Sequence, residues 1–301
     1  MKQFPTVLLY LTFVTVCTAS TLYEELTALN ATTLLSLVDK AGLSSVLQGR
    51  ENYTLLVPTN HAFAKIPATE LASVSSNQQK LVDIIKYHLI SGIHLKREFL
   101  FGRHHFYNST NGHVIRVYRS ASGTHFNQAT AIKTDIKASN GVIHLINTVL
   151  DVPEGTVVDI LGNKAYNISK FLALVQKAKL DVNYAKPTGI NRYTVFAPSD
   201  AAIDALPAST LHSLSQDTTN LRMLIEYHVH SGTMHAATLA KRHFVSTTLP
   251  AHNISVTTDA AGDITLNNMA QVTLTDIEAE NGVVHIINHV LMPMILQPIV
   301  G

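Results

Sequence analysis

The sequence predicts an α+β fold, present in two tandem copies, each a β-sandwich or curled sheet carrying several helices. Three observations carry this. The first is a repeat of domain length. Tyr53-Thr-Leu-Leu-Val-Pro58, Tyr87-His88 and Asp135-Ile136, followed by Asn140-Gly141-Val-Ile-His144, recur as Tyr193-Thr-Val-Phe-Ala-Pro198, Tyr227-His228 and Asp276-Ile277, followed by Asn281-Gly282-Val-Val-His285. Solenoid units repeat every ~20–50 residues; this period is that of a whole domain with its own core. The second is a helical stripe in each copy: Leu81, Ile84, Ile85 and His88, matched by Leu221, Leu224, Ile225 and His228, at i, i+3, i+4 and i+7. The third is β-like alternation after that stripe, ending in an Asn-Gly turn and a long apolar run.

Taken in order, each copy opens with a helical region. Leu34, Leu35, Leu37, Val38 and Ala41, matched by Phe171, Leu172, Leu174, Val175 and Ala178, approximate one helix face. A short apolar strand follows, residues 54–57 or 194–197, stopped by Pro58 or Pro198, which lack a donor for the ladder. A short helix comes next, 60–65 or 200–205, with Thr59 or Ser199 as N-cap and Pro67 or Pro207 beyond its end. The amphipathic stripe forms the clearest helix, and Gly92 and Gly232 supply a left-handed cap or turn past it. Strands then include 114–118 and 254–258, the latter before an Ala261-Gly262-Asp263 turn. Asn-Gly between two β-like runs signals a hairpin. The last strand is apolar at both alternating sets of positions, so it belongs in the middle of its sheet.

The chain has 301 residues, 22 Lys+Arg against 21 Asp+Glu, 46% hydrophobic and 14% charged residues. Such a chain buries a core and lacks the basic surface that nucleic acid requires. Residues 1–19 read as a secretory signal: Lys2, an apolar run over 7–16, and Cys17-Thr18-Ala19 before Ser20. The run is too short to span a membrane, which takes about 20 residues. The one cysteine lies inside it, so the secreted product would lack thiol chemistry and disulfides. Domains are expected over 20–153 and 154–301, joined at Val152-Pro153-Glu154-Gly155. Asn30, Asn52, Asn108, Asn167 and Asn253 head Asn-x-Ser/Thr sequons and are N-glycosylation candidates.

The series Tyr-Thr-x-x-x-Pro-Ser/Thr-Asn/Asp-x-Ala, Tyr-His and Asn-Gly-Val-Val/Ile-His resembles the fasciclin (FAS1) domain, twice, over essentially all of the chain past the signal. The resemblance implies a wedge-shaped β-sandwich with helices, an extracellular setting, and adhesion or matrix contact without catalysis. It also implies adhesion candidates by position: Asp135, Ile136, Tyr87 and His88 in the first copy, and Asp276, Ile277, Tyr227 and His228 in the second. The implied partners are an integrin-like cell-surface receptor, a matrix protein or a glycan. Lys137 and Glu278 stand where the animal adhesion pattern has an apolar side chain.

The same residues have structural readings. His88 and His228 suit the carbonyl end of a helix, and His144 and His285 a strand interior. Asp135 and Asp276 either meet a partner or fix the hairpin. His228, His230 and His235 cluster in sequence, as do His285 and His289, but copy one lacks counterparts to His230, His235 and His289, and no metal site is expected. Arg103-His104-His105-Phe106 and Lys241-Arg242-His243-Phe244 recur as basic-aromatic segments able to meet acidic glycans. No nucleophile elbow, zincin helix, phosphate loop or dinucleotide fingerprint occurs, so no cofactor is expected. The alternative function is extracellular carriage of a small apolar ligand, such as a lipid, inside a domain.

Overall fold

The computed structural model describes residues 20–186 and 192–296. The expected signal, 1–19, lies outside the described residues.

The first copy contains strands β1 (Tyr53–Pro58), β2 (Leu89–Ser91), β3 (His104–Asn108), β4 (Val114–Ser120), β5 (Gly123–Phe126), β6 (Ala129–Ala138) and β7 (Gly141–Ile146). The second contains β8 (Tyr193–Pro198), β9 (Val229–Ser231), β10 (Phe244–Ser246), β11 (Asn253–Thr258), β12 (Ile264–Leu266), β13 (Ala270–Ala279) and β14 (Gly282–Ile287). Each set forms one mixed sheet, ordered β2-β1-β7-β6-β5-β4-β3 and β9-β8-β14-β13-β12-β11-β10. Pairing is antiparallel except for β1 with β7 and β8 with β14, which are parallel. The final strand of each copy is central, as its two-faced apolar pattern predicts.

Each sheet curls until its edges meet. In the first, Ile90 bridges Ser109, and the Thr110 N–H donates to the Leu89 carbonyl at 2.8 Å. In the second, the Thr248 N–H donates to Val229 at 2.7 Å. The result is a sheet nearly closed into a barrel, its two halves facing each other as in a sandwich. Register shifts in β6 and β13 supply the bend, because an extra residue on one strand kinks it and increases its twist.

Strand alternation divides the core into two layers. Leu55 and Val57 of β1 pack under the helices with Leu34, Leu81 and Ile85, whereas Leu56 points into the barrel with Tyr87, Phe99 and Phe126. The second copy repeats this with Val195 and Ala197 against Phe196. The stripe helices are Gln78–Tyr87 and Thr218–Tyr227. Each hands directly into a three-residue strand, β2 or β9. Gly92 and Gly232, at φ 89 and 121, therefore turn the chain after a strand and do not cap the helix. Short helices Leu22–Ala28 and Val157–Gly162, too brief for a periodic signal, begin the two copies.

The Asn-Gly hairpins are present, joining β6 to β7 and β13 to β14. Their glycines serve a different purpose from the left-handed turn the dipeptide suggests. Gly141 and Gly282 have no positive φ; a Cβ on either would collide with the carbonyl oxygen of Tyr53 or Tyr193 on the neighbouring parallel strand. The asparagines act as anchors. Asn140 accepts from the Leu22 N–H at 2.8 Å and donates to Leu47 and Gly49; Asn281 accepts from Val157 at 2.8 Å and donates to Tyr184 and Lys186. Each hairpin is thus tied to the first helix of its own domain.

Candidate functional site

The Asp-Ile pairs lie where β6 and β13 lose register. Lys133 pairs with Leu145 and Ile136 with Ile143, leaving one extra residue on β6; Leu274, Ile277, Ile286 and Val284 repeat this in β13. Asp135 and Asp276 sit in these bulges with φ of 60°, a left-handed backbone that Asp adopts more readily than most residues. Their carboxylates accept from backbone N–H groups across the fold, Asp135 from Lys96 at 2.9 Å and Asp276 from Ala236 at 2.8 Å.

Their own N–H groups donate to Nδ1 of His144 and His285, each at 3.2 Å. With Nδ1 accepting, the proton must sit on Nε2, which donates to the backbone oxygen of His94 or Met234 at 2.9 Å. Each imidazole is therefore neutral and held in one tautomer. Burial pushes the pKa of His144 down in the same direction. The aspartates remain partly open, their side chains 37% and 20% exposed. Ile136 is half-buried and Ile277 is buried in the core.

The Tyr-His pairs are buried inside the domains. Tyr87 and Tyr227 fill the sheet interiors, and their hydroxyls donate to the carbonyls of Val114 and Asn253 while accepting from Asn127 and Asn267. His88 and His228 donate through Nδ1 to Ile84 and Leu224, both at 2.8 Å, and accept at Nε2 from the N–H of Leu150 and Leu291. Burial lowers both pKa values to about 4, the carbonyl bond offsetting part of the shift. These histidines fasten the stripe helix to the chain leaving the last strand.

A third constellation joins the copies, and local sequence patterns did not reveal it. Arg116 of β4 donates to Nδ1 of His235 at 2.5 Å and to the Thr233 carbonyl at 2.7 Å; Nε2 of His235 then meets the Glu278 carboxylate. All three are buried, at 6%, 2% and 6% exposure. His235 is neutral here because its Nδ1 accepts from Arg116, and burial beside that cation drives its pKa down to about 3. Around this lock, Arg192 lies 4.4 Å over the Phe106 ring, and His113 sits 3.6 Å from Glu280. Duplication itself holds a signal for it. The cap that Asp135 gives Lys96 is given by Asp276 to Ala236, which aligns His235 with Leu95 and Glu278 with Lys137. The two copies differ where they meet.

A fasciclin-domain family model matches residues 29–153 and 166–293. The chain belongs to the fasciclin family. It is 28% identical over 280 residues to the transforming growth factor-beta-induced protein ig-h3 of Sus scrofa, covering 91% of this chain and 40% of that protein. It is also 28% identical over 276 residues to Homo sapiens periostin, covering 90% and 32%. The chain thus spans two-fifths or less of the length of these relatives. A solved FAS1 domain pair from the insect cell adhesion molecule fasciclin I aligns over 90% of this chain and 95% of that one, at 19% identity and a TM-score of 0.41.

The fasciclin domain is a non-catalytic adhesion fold. Among the described residues, no group of three or more His, Cys, Asp or Glu is placed to hold a metal, and no helix is long and apolar enough to cross a membrane. His235, one of the clustered histidines, is occupied by Arg116 and Glu278. Both basic-aromatic segments are largely exposed, Arg103, His104 and Phe106 in the first domain and Lys241, Arg242, His243 and Phe244 in the second; His104 also accepts from Arg116 and stacks on Tyr118 at 4.6 Å. Asn30, Asn52, Asn108, Asn167 and Asn253 are all exposed.

Proposed function

We propose that this chain is a secreted glycoprotein that acts in cell adhesion or extracellular-matrix interaction by presenting two fasciclin domains in a fixed relative orientation. The observation that carries this reading is the buried lock of Arg116, His235 and Glu278 between two domains of an adhesion family. Each domain makes a weak contact with a cell-surface receptor of integrin type, a matrix protein or a glycan. A rigid pair binds more tightly than either domain wherever both contacts fit at once. The partly open carboxylates of Asp135 and Asp276 are the contact candidates, with exposed Lys133 and Leu274 beside them. Secretion through residues 1–19 accords with the family and with five exposed sequons, which are the proposed glycan sites.

The test is an adhesion assay on immobilised purified protein, comparing wild type with the Asp135→Asn/Asp276→Asn double variant after circular dichroism. Adhesion by wild type that drops in the folded double variant supports both the function and the contact. Equal adhesion removes the aspartates from the contact. No adhesion by wild type removes the adhesion reading.

A further inference from the structure

Between the two fasciclin domains lies a partly open cavity of about 600 Å³, lined by residues of both. One wall is the helical layer of the first domain, with Leu71, Val74 and Ile84; the opposite wall is the bulged stretch Leu274–Glu278 of β13. This volume falls in the range of small-molecule sites, roughly 300–1,000 Å³. The second copy closes the equivalent space: Leu214 and Leu224 are buried there, whereas their counterparts Val74 and Ile84 stay half-exposed. The helix Ala68–Ser76, which roofs the cavity, has no buried residue at all.

The lining is apolar at its base and one-signed at its rim. Glu70, Asp83, Asp151, Glu154 and Asp276 line it, with Lys80 as the cation among the described lining residues; Glu278 also lines it but is buried and engaged by His235. Among the described residues, no Lys or Arg forms an ion pair with Glu70, Asp83 or Asp151. Asp151 reports the consequence: poor solvation in the concave wall, then the carboxylates of Glu278, Glu70 and Asp276, raise its pKa to about 6. A site with apolar walls and uncompensated carboxylates repels fatty acids and favours the opposite sign at its mouth.

We propose that this interdomain cavity is a binding site for a small amphiphilic cation, an aliphatic chain carrying an ammonium group. The chain lies against Leu71, Val74 and Ile84, and the ammonium sits among Asp151, Asp83 and Glu70. The site shares Leu274 and Asp276 with the proposed adhesion surface of the second domain, but its test reads ligand binding and not adhesion, so the two readings fail separately.

Calorimetric titration of the full chain with dodecylammonium below its micelle concentration tests this, with dodecanoate and dodecanol as the oppositely charged and neutral probes. The expected result is one saturable site, with dodecylammonium bound about tenfold tighter than dodecanoate. Asp151→Asn, at a solvent-reachable position, should reduce that preference severalfold. Leu274→Lys, which puts a tethered ammonium at the cavity wall, should abolish the site with the melting curve retained. Equal affinity for the two charged probes, absence of a saturable site in wild type, or an unchanged site in the folded Leu274→Lys protein would each overturn the proposal.

Discussion

Arg116 of the first fasciclin domain donates to Nδ1 of His235 in the second, and the far side of the same imidazole meets Glu278. A neutral ring thus relays between a cation and a carboxylate in a seam that water barely reaches. Each group depends on the others: without Arg116, Glu278 is a buried acid with only a neutral donor. Burial already pushes the pKa of Glu278 well up. The lock therefore specifies domain orientation more than it adds net stability, since desolvating such groups offsets much of their attraction.

Arg116→Met should consequently destabilise the chain by about 3–5 kcal/mol, the cost of removing one member of a buried charged network. The domains should also separate, seen as a larger radius of gyration in small-angle X-ray scattering. Replacing all three residues with apolar ones (Arg116→Met, His235→Leu, Glu278→Leu) should recover most of the loss. An unchanged radius and melting curve in the single variant would show that the domains are held by something else.

Acid should weaken the fold through its buried histidines. His88 and His228 have folded pKa values of about 4 against an ordinary 6.5. Their neutral-state stabilisation is complete above 6.5 and is lost as pH falls from there through 4, on the order of 2–3 kcal/mol each. Asp151 works the other way, since its raised pKa favours the folded state as it protonates. Comparing His228→Gln with wild type isolates one histidine: chemical denaturation across pH 7 to 4 should give the variant a shallower loss of stability. Parallel curves would mean that His228 is not buried neutral.

The duplicated motifs were legible as a fold but not always for the right reason. The stripe Leu81, Ile84, Ile85 and His88 reveals its helix because one face is buried locally. Pro58 and Pro198 mark strand ends for the same local reason. Asn-Gly correctly announces a hairpin, yet Gly141 is required by a strand 88 positions earlier, through the Tyr53 carbonyl. Arg116 defeats the alternation rule. Ile115 and Val117 face the core, so Arg116 reads as solvent-facing; the surface it faces is covered by the other domain. Periodicity records burial within a sheet and holds no record of what docks on its outer side. Only the mismatch between copies, His235 against Leu95 and Glu278 against Lys137, marks that seam.

Gly141→Ala and Gly282→Ala should each destabilise by about 1–3 kcal/mol or more, because a backbone carbonyl cannot yield as a side chain does. Thermal denaturation checks this. Loss of only a few tenths of a kcal/mol would mean that the parallel strands are spaced more widely and that the turn alone selects glycine.

The two bulge aspartates separate structure from recognition by a pair of substitutions. Asparagine keeps both the left-handed backbone and the side-chain oxygen that accepts from Lys96 or Ala236, and it removes only the charge. Asp135→Asn and Asp276→Asn should therefore leave the melting midpoint close to wild type. Alanine loses the hydrogen bond and strains the backbone at φ 60°, together about 2–3 kcal/mol per site. Adhesion that falls with asparagine at unchanged stability would locate the charge in the contact. Adhesion that falls only with alanine, in step with the melting curve, would make Asp135 and Asp276 pins that hold the bulge for its exposed neighbours Lys133 and Leu274. The duplicated geometry, in which each Asp is held by a neutral histidine behind it, predicts the same ordering in both domains.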